Sequence, residues 1–369
     1  MSYDDLKRRA LDAEDKAEDV RVLSQGVVPN ITGAPVETAL GRGLDIGTAN
    51  ILCAVRNPSN AITVRCERNA FLDLQADVHC KSMLTKLKVP YVVYNDKLVV
   101  IGDAAFDLAN VFSRETRRPM RDGLISPSEV DALPMIQLII KKVLGEASVE
   151  GEPVYFSVPG ESIDASNNII YHQGLFDGML RNLGYEPTPL NEGHAVIFAE
   201  LASDDFTGIG ISFGGGMVNV CVAYKTIPAL TFSIARGGDW IDRNVGQVLG
   251  INASRATFLK ESGVDLRHPR GREQEAINIY YRNLLSYTIN QIKARFQGSD
   301  GMPVFREPVA IVCAGGSTLI QGFEEVLREE FGKVKFPIPI REIRRVQEPL
   351  NSVCKGCLVA ALSAAEEGD

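Results

Sequence analysis

The chain of 369 residues contains no stretch of about 18 consecutive apolar residues, so no segment is expected to cross a membrane as a helix. It has no surplus of basic charge either. With 39 Lys and Arg against 47 Asp and Glu the net charge is -8, which draws the protein neither to phosphate backbones nor to anionic lipid, and direct nucleic-acid binding is not expected. Histidine is scarce, with four residues at 79, 172, 194 and 268, and no His-Glu-x-x-His spacing exists, which leaves a catalytic zinc site without support. Neither a Walker pattern nor a Gly-x-Gly-x-x-Gly fingerprint occurs, and there is no short repeat of solenoid period. The N-terminus lacks the apolar core of a signal peptide, and the seven cysteines lie mostly inside apolar runs, so reduced thiols in a cytoplasm are expected. What is present is an ordinary globular balance, 45% hydrophobic and 23% charged, which excludes wholesale disorder. The length implies two lobes around a cleft or one large α/β unit.

Residues 1–20 are dense in mixed charges, with Leu6, Ala10, Ala13, Ala17 and Val20 at roughly helical spacing. That pattern suits a solvated helix, a segment that docks a partner or adaptor, or a plain tail. Residues 21–40, with Pro29, Gly33 and Pro35, read as a linker. From Gly41 the pattern gives strands at about 44–55 and 61–66, a mixed region to 110, a helix at about 128–144, a strand at 154–158 and a helix at about 164–183. A second round follows, with a helix at about 193–201, strands at about 207–213, 218–224 and 230–235, a helix at 273–296, a strand at 309–313, a helix after Gly322 and a last helix at about 350–364. The repeated order of strand pair, helix, strand and helix predicts a duplicated α/β unit.

Three glycine-bearing turns follow expected strands: Asp45-Ile46-Gly47-Thr48-Ala49-Asn50, Ser212-Phe213-Gly214-Gly215-Gly216-Met217 and Ala314-Gly315-Gly316-Ser317-Thr318. Glycine lets backbone N–H groups approach an anion closely, so all three suit phosphates. Asp45 would then sit where a hydrated Mg²⁺ neutralises them, since that ion keeps several waters and takes few carboxylates. Taken singly, each turn is equally well a structural turn.

Their order carries more. Gly43-Leu44-Asp45-Ile46-Gly47-Thr48 resembles the first phosphate loop of the actin, sugar-kinase and heat-shock-chaperone superfamily, and its extension Ala49-Asn50 is similar to the MreB-type bacterial actins. Val154 to Pro159 and Asn191-Glu192-Gly193-His194-Ala195 resemble the two ends of the first connecting segment. Gly214-Gly215-Gly216 is similar to the second phosphate loop, Gly237-Gly238-Asp239-x-x-Asp242 to the signature after it, and Ala314 to Gly322 to the adenosine loop. Glu348-Pro349-Leu350-x-x-Val353-x-x-Gly356 resembles the second connecting helix. Together these cover residues 41–365.

The resemblance implies an α/β, two-lobed actin-like ATPase fold, each lobe with a ribonuclease-H-like core, closing over ATP or ADP and Mg²⁺. It places the first lobe at 41–195 plus 340–369, with a small subdomain at about 67–112. The second lobe falls at 196–339, with a small subdomain at about 246–304. No chaperone peptide-binding domain is expected after the last helix, and no catalytic-base motif for a sugar hydroxyl is found. The leading expectation is a prokaryotic actin-like protein that polymerises into cytoskeletal filaments with itself. A nucleotide-binding scaffold without turnover is the alternative, and a small-molecule kinase of the same superfamily a further one. The spacing of 167 positions from Gly47 to Gly214 and 101 from there to Gly315 is more like the ParM-type plasmid-segregating actins, whereas residues 45–50 lean to MreB, and both stay open.

By the same resemblance, Glu192 orients the attacking water and Asp45 holds the Mg²⁺ water shell. Gly47, Thr48, Ala49, Asn50, Gly214, Gly215, Gly216, Gly315, Gly316 and Ser317 bind the nucleotide, and Lys260 flanks the adenine. Glu192 is equally readable as a helix-first glutamate favoured by the dipole, and Lys260 as a solvated helix charge. The main departure is Ser212, where the family usually has an aspartate that helps hold the cation. Serine supplies a hydroxyl without charge, so weaker cation binding and slower hydrolysis are expected. His194 sits beside the site at most, and the lone Cys354-x-x-Cys357 reads as packing, since one pair cannot complete a tetrahedral metal site.

Overall fold

The structure, a computed structural model, describes residues 41–112, 114–166, 169–298 and 302–367. The charged segment 1–20 and the linker 21–40 lie outside the described residues.

The first half opens with a meander of β1 (Arg42–Ile46), β2 (Asn50–Arg56) and β3 (Ile62–Arg68). A small three-stranded sheet follows, made of β4 (Phe71–Gln75), β5 (Val92–Tyr94) and β6 (Lys97–Ile101), with α1 (Val78–Lys86) and α2 (Asp103–Val111). A hairpin of β7 (Met120–Arg121) and β8 (Leu124–Ile125) leads to α3 (Ala132–Leu144), β9 (Glu152–Val158), α4 (Ile169–Arg181) and β10 (Tyr185–Asn191). The second half runs α5 (Glu192–Glu200), β11 (Gly208–Phe213), β12 (Val218–Tyr224), β13 (Ile227–Ile234), α6 (Gly238–Leu249), α7 (Ala253–Glu261), α8 (Gly271–Gly298), β14 (Val309–Ala314), α9 (Phe323–Gly332), β15 (Ile340–Arg345) and α10 (Ser352–Glu367).

Two five-stranded sheets result, ordered β10-β9-β1-β2-β3 and β15-β14-β11-β12-β13. Each joins an antiparallel meander to two parallel strands through its first strand. The duplicated order of elements is thus a duplicated topology. The central strands are apolar on both faces, as strands covered on both sides should be: β11 and β14 are buried throughout. On one face of the first sheet, Ile136, Ile139, Ile140 and Val143 of α3 and Phe176 and Leu180 of α4 pack against Leu44, Ile46 and Phe156. On the matching face of the second, Ile277, Leu284, Leu285, Ile292 and Phe296 of α8 form the stripe that helical spacing predicts, joined by Tyr281 and Ile289, while Tyr287, expected on the same face, is only partly buried against it.

The opposite faces look towards each other through two helices. Ala195, Val196 and Ile197 of α5 pack on Cys221, Ala223, Ala310 and Val312 of the second sheet, while Cys354 and Leu358 of α10 pack on Leu52 and Ala54 of the first. The two helices cross where Gly356 meets Ala195, and a Cβ built at 356 would lie 1.8 Å from the Ala195 carbonyl oxygen. Only glycine permits that approach.

Two expected boundaries are corrected. Residues 340–345 pair with β14 and extend the second sheet, not the first, and α5 packs on the second sheet as one unit, so a division at 195/196 would cut a helix that starts at 192. Two edge strands carry no periodic signal, and one helix went unread for another reason. β10 holds Pro187 and Pro189, tolerated because it is an edge strand. β15 reads IREIRR, an edge strand blunted by charge. α6 contains Gly238, Asn244 and Gly246, weak helix formers held by tertiary packing of Ile241 and Val245. The third glycine turn enters a single 3-10 turn over Gly316–Leu319 rather than a helix, and α9 starts only after Gly322.

Candidate functional site

The first turn ends β1 and the second ends β11, so they occupy the same topological position in the two sheets. Gly47 donates its N–H to the Asn50 carbonyl at 3.0 Å, and the Asn69 side chain steadies the turn through the Gly47 carbonyl at 2.9 Å. Gly214 mirrors this with an N–H donated to the Met217 carbonyl at 2.9 Å. The turns converge. A Cβ at Gly216 would lie 2.5 Å from Thr48 Oγ1 and 2.1 Å from the Gly123 nitrogen, so this glycine is required by close approach.

The third turn joins them from the second sheet. Ser317 donates through Oγ to the Gly214 carbonyl at 2.9 Å, and Tyr281 of α8 donates to the Ser317 carbonyl at 3.1 Å. Gly315 donates to the Pro349 carbonyl at 2.8 Å, tying the turn to the approach of α10. The Gly237-Gly238-Asp239 segment lies on the second turn, with the N–H groups of Gly238 and Asp239 donated to the Gly214 and Gly215 carbonyls at 3.0 and 2.8 Å. All three turns, with Thr48, Ala49 and Asn50 on the first, therefore meet between the sheets.

The acids stand beside them. Asp45 Oδ1 accepts from Ser157 Oγ at 2.8 Å, and that hydroxyl also accepts from the Ile46 N–H at 2.9 Å. Glu192 is the first residue of α5, capped by Asn191, whose Oδ1 accepts the His194 N–H. Ser212, buried at the end of β11, donates through Oγ to Glu192 Oε2 at 2.9 Å. Burial raises the Asp45 carboxyl, and burial together with the Asp45 charge raises that of Glu192. The two acids thus sit close enough to resist joint ionisation. The Nδ2 donor of Asn191 is buried without a hydrogen-bond partner.

Lys260 is no solvated helix charge. Its ammonium bonds Asp242 Oδ2 at 2.8 Å and the Gly238 carbonyl at 3.3 Å, and Thr257 donates to the same carboxylate oxygen, so it braces the third-turn side of the cleft. His194 donates from Nε2 to the Thr226 carbonyl at 2.8 Å, which gives it a structural partner away from the acids. Cys354 and Cys357 are buried free thiols in α10, as packing predicts. Among the described residues no group of three or more His, Cys, Asp and Glu could hold a metal ion.

Sequence reasoning missed the hairpin that closes the cleft. Gly123 donates to Thr48 Oγ1 at 3.1 Å, the Met217 side chain lies against Gly123, and Arg118 reaches both Thr48 and Asp239. Asp122 and Gly123 have positive φ of 51 and 82 degrees, the Asp-Gly signature of a two-residue hairpin turn. That signal marks a hairpin but not its place between the loops.

Two sheets of one topology, glycine turns meeting across a cleft and two crossing helices between them make this the two-lobed actin-like fold, as the motif order implied. The chain belongs to the Volactin family, which it matches over residues 40–361. Among solved structures it is similar to a MamK double helical filament, with a TM-score of 0.66 and 20% identity over 88% of this chain and 98% of that one. It is also similar to MreB5 of Spiroplasma citri bound to AMPPNP, at 0.64 and 16% over 90% and 100%. A third is the ethanolamine utilization protein EutJ from Carboxydothermus hydrogenoformans, at 0.53 and 15% over 96% and 99%. No curated protein matches by sequence.

Proposed function

We propose that this chain is an actin-like protein that binds ATP or ADP with Mg²⁺ between its halves and assembles head to tail into filaments. The observation that carries the reading is the meeting of two topologically equivalent glycine turns, one from each sheet, above the Asp45 and Glu192 carboxyl groups. Similarity to a MamK filament and to MreB5 bound to AMPPNP supports it. The lobes in this reading are residues 41–191 with 346–367, and 192–345.

The residues present fit the group. Backbone N–H groups at the first two turns offer donors to phosphate oxygens. Asp45 has one oxygen engaged by Ser157, leaving Oδ2 for the water shell of a cation, which neutralises the developing phosphate charge when bound. Ser212 donates to Glu192 Oε2 and Asn219 also engages the carboxyl, which holds it in place to orient an in-line water, since phosphoryl transfer depends mainly on positioning and charge stabilisation. The third turn and Lys260 take the adenosine side. A contact between unlike surfaces that does not close generates an open filament, and nucleotide biases the halves towards the polymerising arrangement. Residues 1–20 recruit an adaptor, and the protein works in the cytoplasm.

One observation favours the second reading, a scaffold that binds nucleotide with little turnover. Ser212 brings no charge to the cation and spends its hydroxyl on Glu192. Phosphate release from the purified protein, measured with Mg²⁺-ATP, separates the two: turnover abolished by Glu192→Gln supports the ATPase, and absent turnover with retained ATP binding supports the scaffold.

A further inference from the structure

We propose that Arg118 binds the terminal phosphate of a nucleoside triphosphate, giving up Asp239 to do so, and so lets the protein distinguish triphosphate from diphosphate. The inference rests on the nucleotide reading above.

One guanidinium links the first turn to Asp239, which is itself tied to the second. Arg118 Nη2 donates to the Thr48 carbonyl of the first turn at 3.1 Å, while Nη1 lies 3.3 and 3.2 Å from the two oxygens of Asp239. Asp239 is fixed to the second turn through its own N–H on the Gly215 carbonyl at 2.8 Å. A Cβ at Gly215 would lie 3.6 Å from Ala49 Cβ and 3.7 Å from Asp239 Oδ1, so that carboxylate edges the space between the two turns. The third turn lies on the opposite side of the second, at Gly214 and Gly238. With adenosine there, the last phosphate falls on the Arg118 side.

Charge balance points the same way. Asp45, Glu192 and Asp239 already surround the cleft, and a triphosphate adds several negative charges. Lys260 cannot answer them, because it and Asp242 are only 12% and 5% exposed and moving it would strand a buried carboxylate. Arg118 is 37% exposed, and the carboxylate it would release is reached by solvent. An exposed ion pair of this kind contributes little, whereas the planar guanidinium fork matches phosphate oxygens bidentately. The hairpin keeps its own hold on the first turn during the exchange, through the Gly123 N–H on Thr48 Oγ1 at 3.1 Å, and a second, more exposed pair beside it serves as a control. Arg243 bonds Asp122 at 2.8 Å, four residues further along both segments and with the polarity reversed.

The test is calorimetric titration of the full chain with Mg²⁺ and either a non-hydrolysable ATP analogue or ADP, for the wild type, Arg118→Ala, Arg118→Lys and Arg243→Ala, with melting temperatures taken without nucleotide. The expected result is a loss of about tenfold or more in analogue affinity for Arg118→Ala, with ADP affinity within about twofold. Arg118→Lys recovers part of the preference, and Arg243→Ala keeps the wild-type ratio. An equal loss for both nucleotides, or no loss, in a folded Arg118 variant overturns the proposal, and Arg118→Lys carries the decision if the alanine variant does not fold. A wild type that binds neither nucleotide overturns the proposal together with the reading beneath it, and the wild-type titrations tell the two failures apart.

Discussion

In the proposed reading Glu192 and Asp45 carry the chemistry, and their burial also sets a pH dependence. Burial raises both carboxyls, and at Glu192 the Asp45 charge adds to it, taking that group to about 8. Between the ordinary carboxylate range and that value the folded protein keeps a proton that the unfolded chain releases, so stability falls as pH rises through the window. Glu192→Gln cannot titrate. Without nucleotide, the wild type should therefore lose melting temperature relative to the variant from about pH 5 to 8, and parallel curves would contradict the buried pair. Ser212→Asp swaps a donor for a third carboxylate beside Glu192. It should cost about 1–3 kcal/mol without ligand, measured by denaturant unfolding, and should raise turnover if cation placement limits the rate; an unchanged rate in a folded variant counts against that. Asp45, Glu192 and Ser212 were legible because each sits at a strand end inside a motif. Arg118 was not, because its partner Asp239 lies 121 positions away and nothing local marks their meeting.

Elements decide how the turns are held. The crossing of α5 and α10 depends on Gly356, whose Cα faces the Ala195 backbone, so Gly356→Ala must push two helices apart. Overpacking of this kind costs about 1–3 kcal/mol or more, and equilibrium unfolding should show it; a neutral variant would mean the crossing is loose. The long α8 supports the third turn from below through Tyr281, so Tyr281→Phe should lose about 1 kcal/mol and weaken ADP binding, read by titration. An unaltered stability would show the Ser317 carbonyl finding another donor. The apolar strands and the α8 stripe were legible from periodicity because burial imposes it. The edge strands β10 and β15 were not, since an edge tolerates proline and charge, while in α6 the weak formers Gly238, Asn244 and Gly246 masked the helical spacing of Ile241 and Val245.

At the scale of the whole molecule, the duplicated sheet order and the seven motifs agree, which is why the fold was readable from one sequence. The lobe boundaries were less so, because strand pairing such as β15 on β14 is a long-range choice that no short pattern records. Filament contacts are surface features and leave no motif, so the proposed assembly needs a direct test. The most direct measurement is sedimentation with negative-stain microscopy of the full chain in Mg²⁺ with a non-hydrolysable ATP analogue, with ADP, and without nucleotide. The account predicts filaments with the analogue, fewer or none with ADP, and none without nucleotide. A protein that binds the analogue and stays monomeric at every concentration would contradict it.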